Sequence, residues 1–83
     1  MKVYKFYAQW CQPCKALTKV IQDAKDKINV DIVEFDIDAE MMTAINYGVR
    51  SVPTMVLVDE NDKEIKRLNG YANEEKLLDF LKV

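Results

Sequence analysis

Histidine is absent from this 83-residue chain, which excludes any His-based triad, imidazole proton shuttle or imidazole metal ligand. Long hydrophobic runs are also missing. The longest, Met55–Val58, falls far short of the ~20 apolar residues that a membrane-spanning helix needs. Val3–Ala8 is interrupted by Lys5 and holds no apolar core of the kind a signal peptide requires. The expectation is a cytoplasmic protein with no membrane partner. Basic clusters are lacking too. The 12 lysines and arginines are scattered among 14 acids, for a net charge of −2, whereas a nucleic-acid binder would gather them in a stripe. Glycine and proline number two each, and no repeat, linker or low-complexity segment interrupts the chain. At 49% apolar and 31% charged residues, the composition is that of a globular chain, and its length suits one domain spanning residues 1–83.

Cysteine is scarce as well, and its placement is informative. Both thiols lie in Trp10-Cys11-Gln12-Pro13-Cys14, close enough for a disulfide to close across one turn of backbone. A structural zinc site normally needs four Cys or His ligands, and only two exist here, so carboxylates or a second chain would have to complete it. A purely structural disulfide across so short a loop would constrain the unfolded chain little. Redox use is the favoured reading. The thiolate is the attacking form, and a cysteine at a helix N-terminus faces unpaired N–H groups and the positive end of the helix dipole. Cys11 occupies that position. Cys14, one turn later, is expected to be more buried and to act second. Pro13 is tolerated because the first helical turn has no use for its missing N–H. Trp10 either flanks and shields the site or is an aromatic half-buried at a strand end.

The pattern around the dithiol supplies the elements. Residues 2–7 alternate and are rich in β-formers, which predicts a strand. Leu17, Val20, Ile21, Ala24 and Ile28 recur at helical spacing, so a helix runs from the cysteines to about Lys27. A second strand covers residues 30–36. Glu40–Tyr47 forms a short helix closed by Gly48. Thr54–Val58 is a buried strand, residues 59–63 are turn material, and Glu64–Leu68 pairs back as a hairpin. Asn73, Glu74 and Glu75 open a last helix that carries Leu77, Leu78, Phe80 and Leu81. The order β-α-β-α-β-β-α begins with a right-handed parallel crossover and ends in an antiparallel hairpin. It implies an α/β chain with a four-stranded mixed sheet flanked by three helices on both faces.

These residues carry a resemblance. Ala8-Gln9-Trp10-Cys11-Gln12-Pro13-Cys14-Lys15 resembles the Trp-Cys-Gly-Pro-Cys-Lys motif of the thioredoxin family. Tyr47-Gly48-Val49-Arg50-Ser51-Val52-Pro53-Thr54 resembles that family's cis-proline segment, Asp36-Ile37-Asp38 matches a strand end, and Gly70 falls where the family keeps a glycine beside the dithiol. The likeness covers essentially the whole chain and implies a minimal, glutaredoxin-sized thioredoxin fold. It implies that Cys11 is the nucleophile and Cys14 the resolving thiol. Pro53 would be cis, with the Val52 backbone free to pair with an extended substrate segment. Trp10, Gln12, Ile37, Tyr47, Val52 and Gly70 would rim a flat, partly apolar docking surface.

Four departures from the family pattern stand out. The chain starts at the family's second strand, which would expose a sheet edge normally covered. Gln12 replaces the glycine between the cysteines, and Tyr7 stands where a second tryptophan is usual. Lys5, six residues before Cys11, stands where the family places a buried aspartate, and Glu34, four residues before Asp38, stands where it places a lysine. Val3, Lys5 and Tyr7 share one face of their strand, as do Ile32, Glu34 and Asp36 of theirs. The two residues are therefore expected to form the family's ion pair with its ends exchanged, although both could be ordinary solvated strand residues. In that reading Glu34 is the proton acceptor for Cys14, and Lys5 helps hold a cysteine as thiolate.

The function implied is a thiol-disulfide oxidoreductase, a monomeric protein-disulfide reductase serving intracellular enzymes. A thioredoxin-reductase-like donor would recycle it. With no nucleotide fingerprint in the sequence, no bound cofactor is expected. The nearest alternative is a glutaredoxin-like protein recycled by glutathione, which the Trp and Pro of the active-site motif disfavour. A non-catalytic binding subunit is a second class, disfavoured by the intact dithiol.

Overall fold

The structure is a computed structural model and describes residues 1–82. Its elements are β1 (Lys2–Tyr7), α1 (Gln12–Asp23), β2 (Asp31–Asp36), α2 (Met41–Asn46), β3 (Thr54–Val58), β4 (Glu64–Asn69) and α3 (Glu74–Phe80). This is the order expected from the sequence. The strands form one sheet in the order β2-β1-β3-β4. β1 pairs parallel with β2 and antiparallel with β3, and β4 returns antiparallel along β3.

Alternation along the strands divides the core into two layers. Val3, Met55 and Leu57 face Leu17 of α1 and Leu77 and Phe80 of α3, while Val20, Ile21 and Ile28 extend this layer. Tyr4, Phe6, Val56 and Val58 face the other way, toward Ala44 of α2, with Phe35 and Tyr47 packed alongside. β3 is buried at all five positions, as befits a central strand covered on both faces. β2 is an edge strand with a largely exposed burial pattern. Asp31, Glu34 and Asp36 give that edge a charged character that disfavours further strand pairing.

The boundaries differ from expectation in instructive places. The helix predicted to about Lys27 ends at Asp23, and Lys25–Lys27 form a separate 3-10 turn. The apolar spacing continues through Ala24 and Ile28, so both still pack, and periodicity alone cannot register the change of helix type. In α2, Glu40 and Tyr47 are caps rather than helical residues. Gly48 follows at φ +64°, a conformation suited to glycine. Asn73 caps α3 as the sequence implies, its side chain accepting from the Lys76 N–H.

Candidate active site

The dithiol lies where β1 gives way to α1, at one end of the sheet. Ala8, Cys11 and Cys14 form a small buried cluster against Tyr7, Ile37 and Val52. The two cysteines are disulfide-bonded with their Cα atoms 5.3 Å apart. Cys11 is the N-cap of α1, in extended conformation, and its sulfur accepts the backbone N–H of Cys14 at 3.1 Å. An orphan donor of the first helical turn thus points at the sulfur that would carry negative charge after reduction. Pro13 occupies the first turn, where it forfeits no hydrogen bond. Cys11 is 4% exposed and Cys14 2%, so the expected contrast between an open and a covered thiol is slight in the oxidised state.

The segment leading into the cysteines is anchored to the end of β2. Gln9 Nε2 donates to Asp36 Oδ2 at 3.3 Å, and Trp10 Nε1 donates to Asp38 Oδ2 at 3.2 Å. Trp10 is 67% exposed, so its ring presents a large apolar face to solvent beside the disulfide. Across from it the Val52–Pro53 peptide is cis. Pro53 is buried, and its carbonyl accepts the Gly70 N–H at 2.8 Å. Ile37 and Val52 pack on the cysteines from this side, and Gln12 stands exposed at the start of α1.

Tyr47 is half-buried and packs in the second core layer together with Ile37 and Val52. Its ring packs edge-on against Tyr4 with centroids 5.5 Å apart, and its hydroxyl donates to the Asp62 carbonyl at 2.7 Å. The aromatic cluster under α2, and the Arg67 guanidinium on the Tyr47 carbonyl, hold it there.

Lys5 and Glu34 are register partners on β1 and β2 and form an ion pair, with Lys5 Nζ 2.9 Å from Glu34 Oε2. The pair is lopsided. Lys5 is 1% exposed, whereas the Glu34 side chain is 49% exposed. Only one end of the expected pair is buried: β2 is an edge strand, so its residue keeps contact with water. Lys5 is the only buried charged side chain among the described residues. Its ammonium also donates to Thr18 Oγ1 on α1 and lies 5.5 Å from the Tyr7 ring centroid. Thr18 in turn donates to the Cys14 carbonyl at 3.1 Å. Sequence reasoning missed Thr18, because a threonine on the shoulder of an amphipathic helix carries no signal until the helix is laid over β1.

Comparison with known proteins agrees with this geometry. The thioredoxin family model matches residues 1–83. The chain is 38% identical over 77 residues to the thioredoxin of Chlamydia muridarum, covering 92% of this chain and 74% of that protein. It is 33% identical over 81 residues to the thioredoxin of Mycoplasmoides gallisepticum, with 96% and 80% covered. Among solved structures, a mutant thioredoxin from Halobacterium salinarum superposes with a TM-score of 0.85 at 32% identity, spanning 95% of this chain and 69% of that one. Fasciola hepatica thioredoxin superposes with a TM-score of 0.80 at 38% identity, spanning 95% and 75%. A disulfide seated on a helix N-terminus and a family match along the entire chain lead to one conclusion: the chain belongs to the thioredoxin family and is a thiol-disulfide oxidoreductase.

Proposed function

We propose that the protein is a monomeric protein-disulfide reductase that donates electrons to intracellular enzymes. The observation that carries this reading is the seating of Cys11 as the N-cap of α1, with the Cys14 N–H directed at its sulfur. In the reduced protein Cys11 attacks one sulfur of a target disulfide as thiolate, and the second target sulfur leaves. Cys14 then attacks Cys11 Sγ, the intramolecular disulfide forms, and the first target sulfur departs. The target gains two electrons and two protons, and the dithiol is oxidised. A reductase fed by a nicotinamide cofactor restores the dithiol, with no cofactor held by this chain.

Trp10, Gln12, Ile37, Val52 and Gly70 would receive the substrate. Exposed apolar surface at Trp10 beside the anchored Gly70–Pro53 backbone suits an extended protein segment. Pro53 would hold the Val52 backbone toward that segment. Lys5 would favour the thiolate as the buried charge nearest the dithiol. Glu34 was expected to be the proton acceptor for Cys14. Its hydrogen bond goes to Lys5, so the role supported is to stabilise Lys5 as a cation.

Reduction of insulin, driven in parallel by thioredoxin reductase and by glutathione with its own reductase, tests the reading. Turnover with the first donor is expected. Turnover with glutathione alone would assign the chain to the glutaredoxin type. No turnover with either, together with partner binding that survives replacement of both cysteines by serine, would make it a binding subunit.

A further inference from the structure

Thr18 lies one helical turn beyond Cys14. A threonine inside a helix often turns back onto the carbonyl four residues earlier, at some cost to the helix, and the bond to the Cys14 carbonyl at 3.1 Å is of that kind. The second contact of the same oxygen is less ordinary: it accepts from the buried Lys5 ammonium. Cys14 is thus held at both backbone groups, its N–H on Cys11 Sγ and its C=O on the Thr18–Lys5 chain. From β1, Lys5 and Tyr7 face this region. From β2 come Glu34, bonded to Lys5, and Asp36, bonded to Gln9. From α1 come Cys11 and Lys15, while Ile37 and Val52 close the other side without charge. A surface depression reaches Cys14 between Tyr7, Gln9, Lys15 and Thr18.

We propose that Thr18 is a positioning residue for the second half-reaction, fixing the Lys5 ammonium against Cys14 so that this thiol ionises under a buried cation. The inference rests on Cys14 being the resolving thiol. An ammonium has three donors and no acceptor, so Lys5 stabilises the thiolate and takes no proton. The Glu34 carboxylate is bonded to the Lys5 ammonium, and Glu34 does not line the depression that reaches Cys14. The Cys14 proton therefore passes to water in the depression. The thiolate then attacks Cys11 Sγ, the bond between Cys11 and the target sulfur breaks, and that sulfur leaves with the electron pair and is protonated from solvent. A nearby positive charge favours the charged thiol.

Reaction of the fully reduced protein with 5,5′-dithiobis(2-nitrobenzoate) separates the two steps. Attack by Cys11 releases one coloured thiolate, and resolution by Cys14 releases the second. Rapid-mixing rates across pH should show that Thr18→Val moves the midpoint of the second phase upward by at least about half a unit, roughly a threefold slowing below the midpoint. The first phase should move less. Thr18→Ser should restore the wild-type profile, and Thr18→Val should add nothing in a Lys5→Met background. An unchanged midpoint in Thr18→Val, or a slowing equal at every pH, would overturn the proposal. So would a full Thr18→Val shift in the absence of Lys5. The Val and Ser variants decide the matter if Lys5→Met does not fold. Absence of the first phase in the wild-type protein would instead count against the reductase reading itself.

Discussion

At the residue scale the Lys5–Glu34 ion pair is buried at one end only, and this has a thermodynamic consequence. Lys5→Met returns Glu34 to water, which already reaches half of that side chain, and removes the buried charge. Glu34→Leu leaves the ammonium buried with Thr18 as its remaining hydrogen-bond partner. Breaking one side of a buried pair costs about 3–5 kcal/mol, and solvent at Glu34 reduces this to roughly 1–2 kcal/mol. Urea unfolding should therefore find Glu34→Leu less stable than the Lys5→Met/Glu34→Leu double variant. Strictly additive effects would show that the two side chains do not interact. The pairing was legible because the resemblance to the thioredoxin family implied an ion pair at these two positions, and alternation along each strand was consistent with it. Thr18 was not, since its role depends on how α1 crosses β1. The contacts of the Tyr47 ring with Tyr4 and of its hydroxyl with Asp62 were not legible either, since sequence does not fix which neighbours an aromatic ring meets.

At the element scale, caps and turns fix where the secondary structure stops. Asn73 satisfies an orphan N–H of α3, and α3 supplies Leu77 and Phe80 to the core. Asn73→Ala should cost about 1 kcal/mol in chemical denaturation, with the disulfide chemistry unchanged. The β3–β4 turn is held by the Tyr4 hydroxyl donating to Asp62 Oδ1 and by the Tyr47 hydroxyl on the Asp62 carbonyl. The Tyr4 hydrogen bond holds the Asp62 carboxyl below its ordinary 3.8, Lys2 contributing further, and hydrogen bonding to that carboxylate raises Tyr4 above 10.0. A carboxyl lowered in the folded state contributes stability above its unfolded value, and this is lost as pH falls through the folded one. A phenol raised in the folded state contributes stability below its unfolded value, and this is lost as pH rises through the folded one. Tyr4→Phe should therefore weaken the drop in melting temperature on going below pH 4, relative to wild type, and weaken the alkaline loss above pH 10. Parallel pH profiles for the two proteins would rule the contact out as a contributor. Element type and order were legible from hydrophobic period. The end of α1 was not, because a 3-10 turn keeps the same residues facing the core.

At the scale of the whole molecule, the sheet carries two apolar layers and leaves one end for chemistry. The loops after β1 and β2 and the turn before β3 meet there, which brings Cys11, Cys14, Ile37 and Val52 together from distant parts of the chain. The motif around Cys11 made this end recognisable, and β1 brings the buried Lys5 ammonium to Thr18, whose hydroxyl is bonded to the Cys14 carbonyl. If that cation favours the reduced, ionised dithiol, Lys5→Met should make the protein the stronger reductant. Each tenfold change in the exchange equilibrium with glutathione corresponds to about 30 mV. The central claim, that Cys11 attacks and Cys14 resolves, is tested most directly by incubating the reduced Cys14→Ser variant with a disulfide-bonded protein and weighing the intact products. Cys14→Ser should give a covalent adduct through Cys11 that dithiothreitol releases, and Cys11→Ser should give none. An adduct formed equally well by Cys11→Ser, or by neither variant while the wild type reduces the same target, would contradict it.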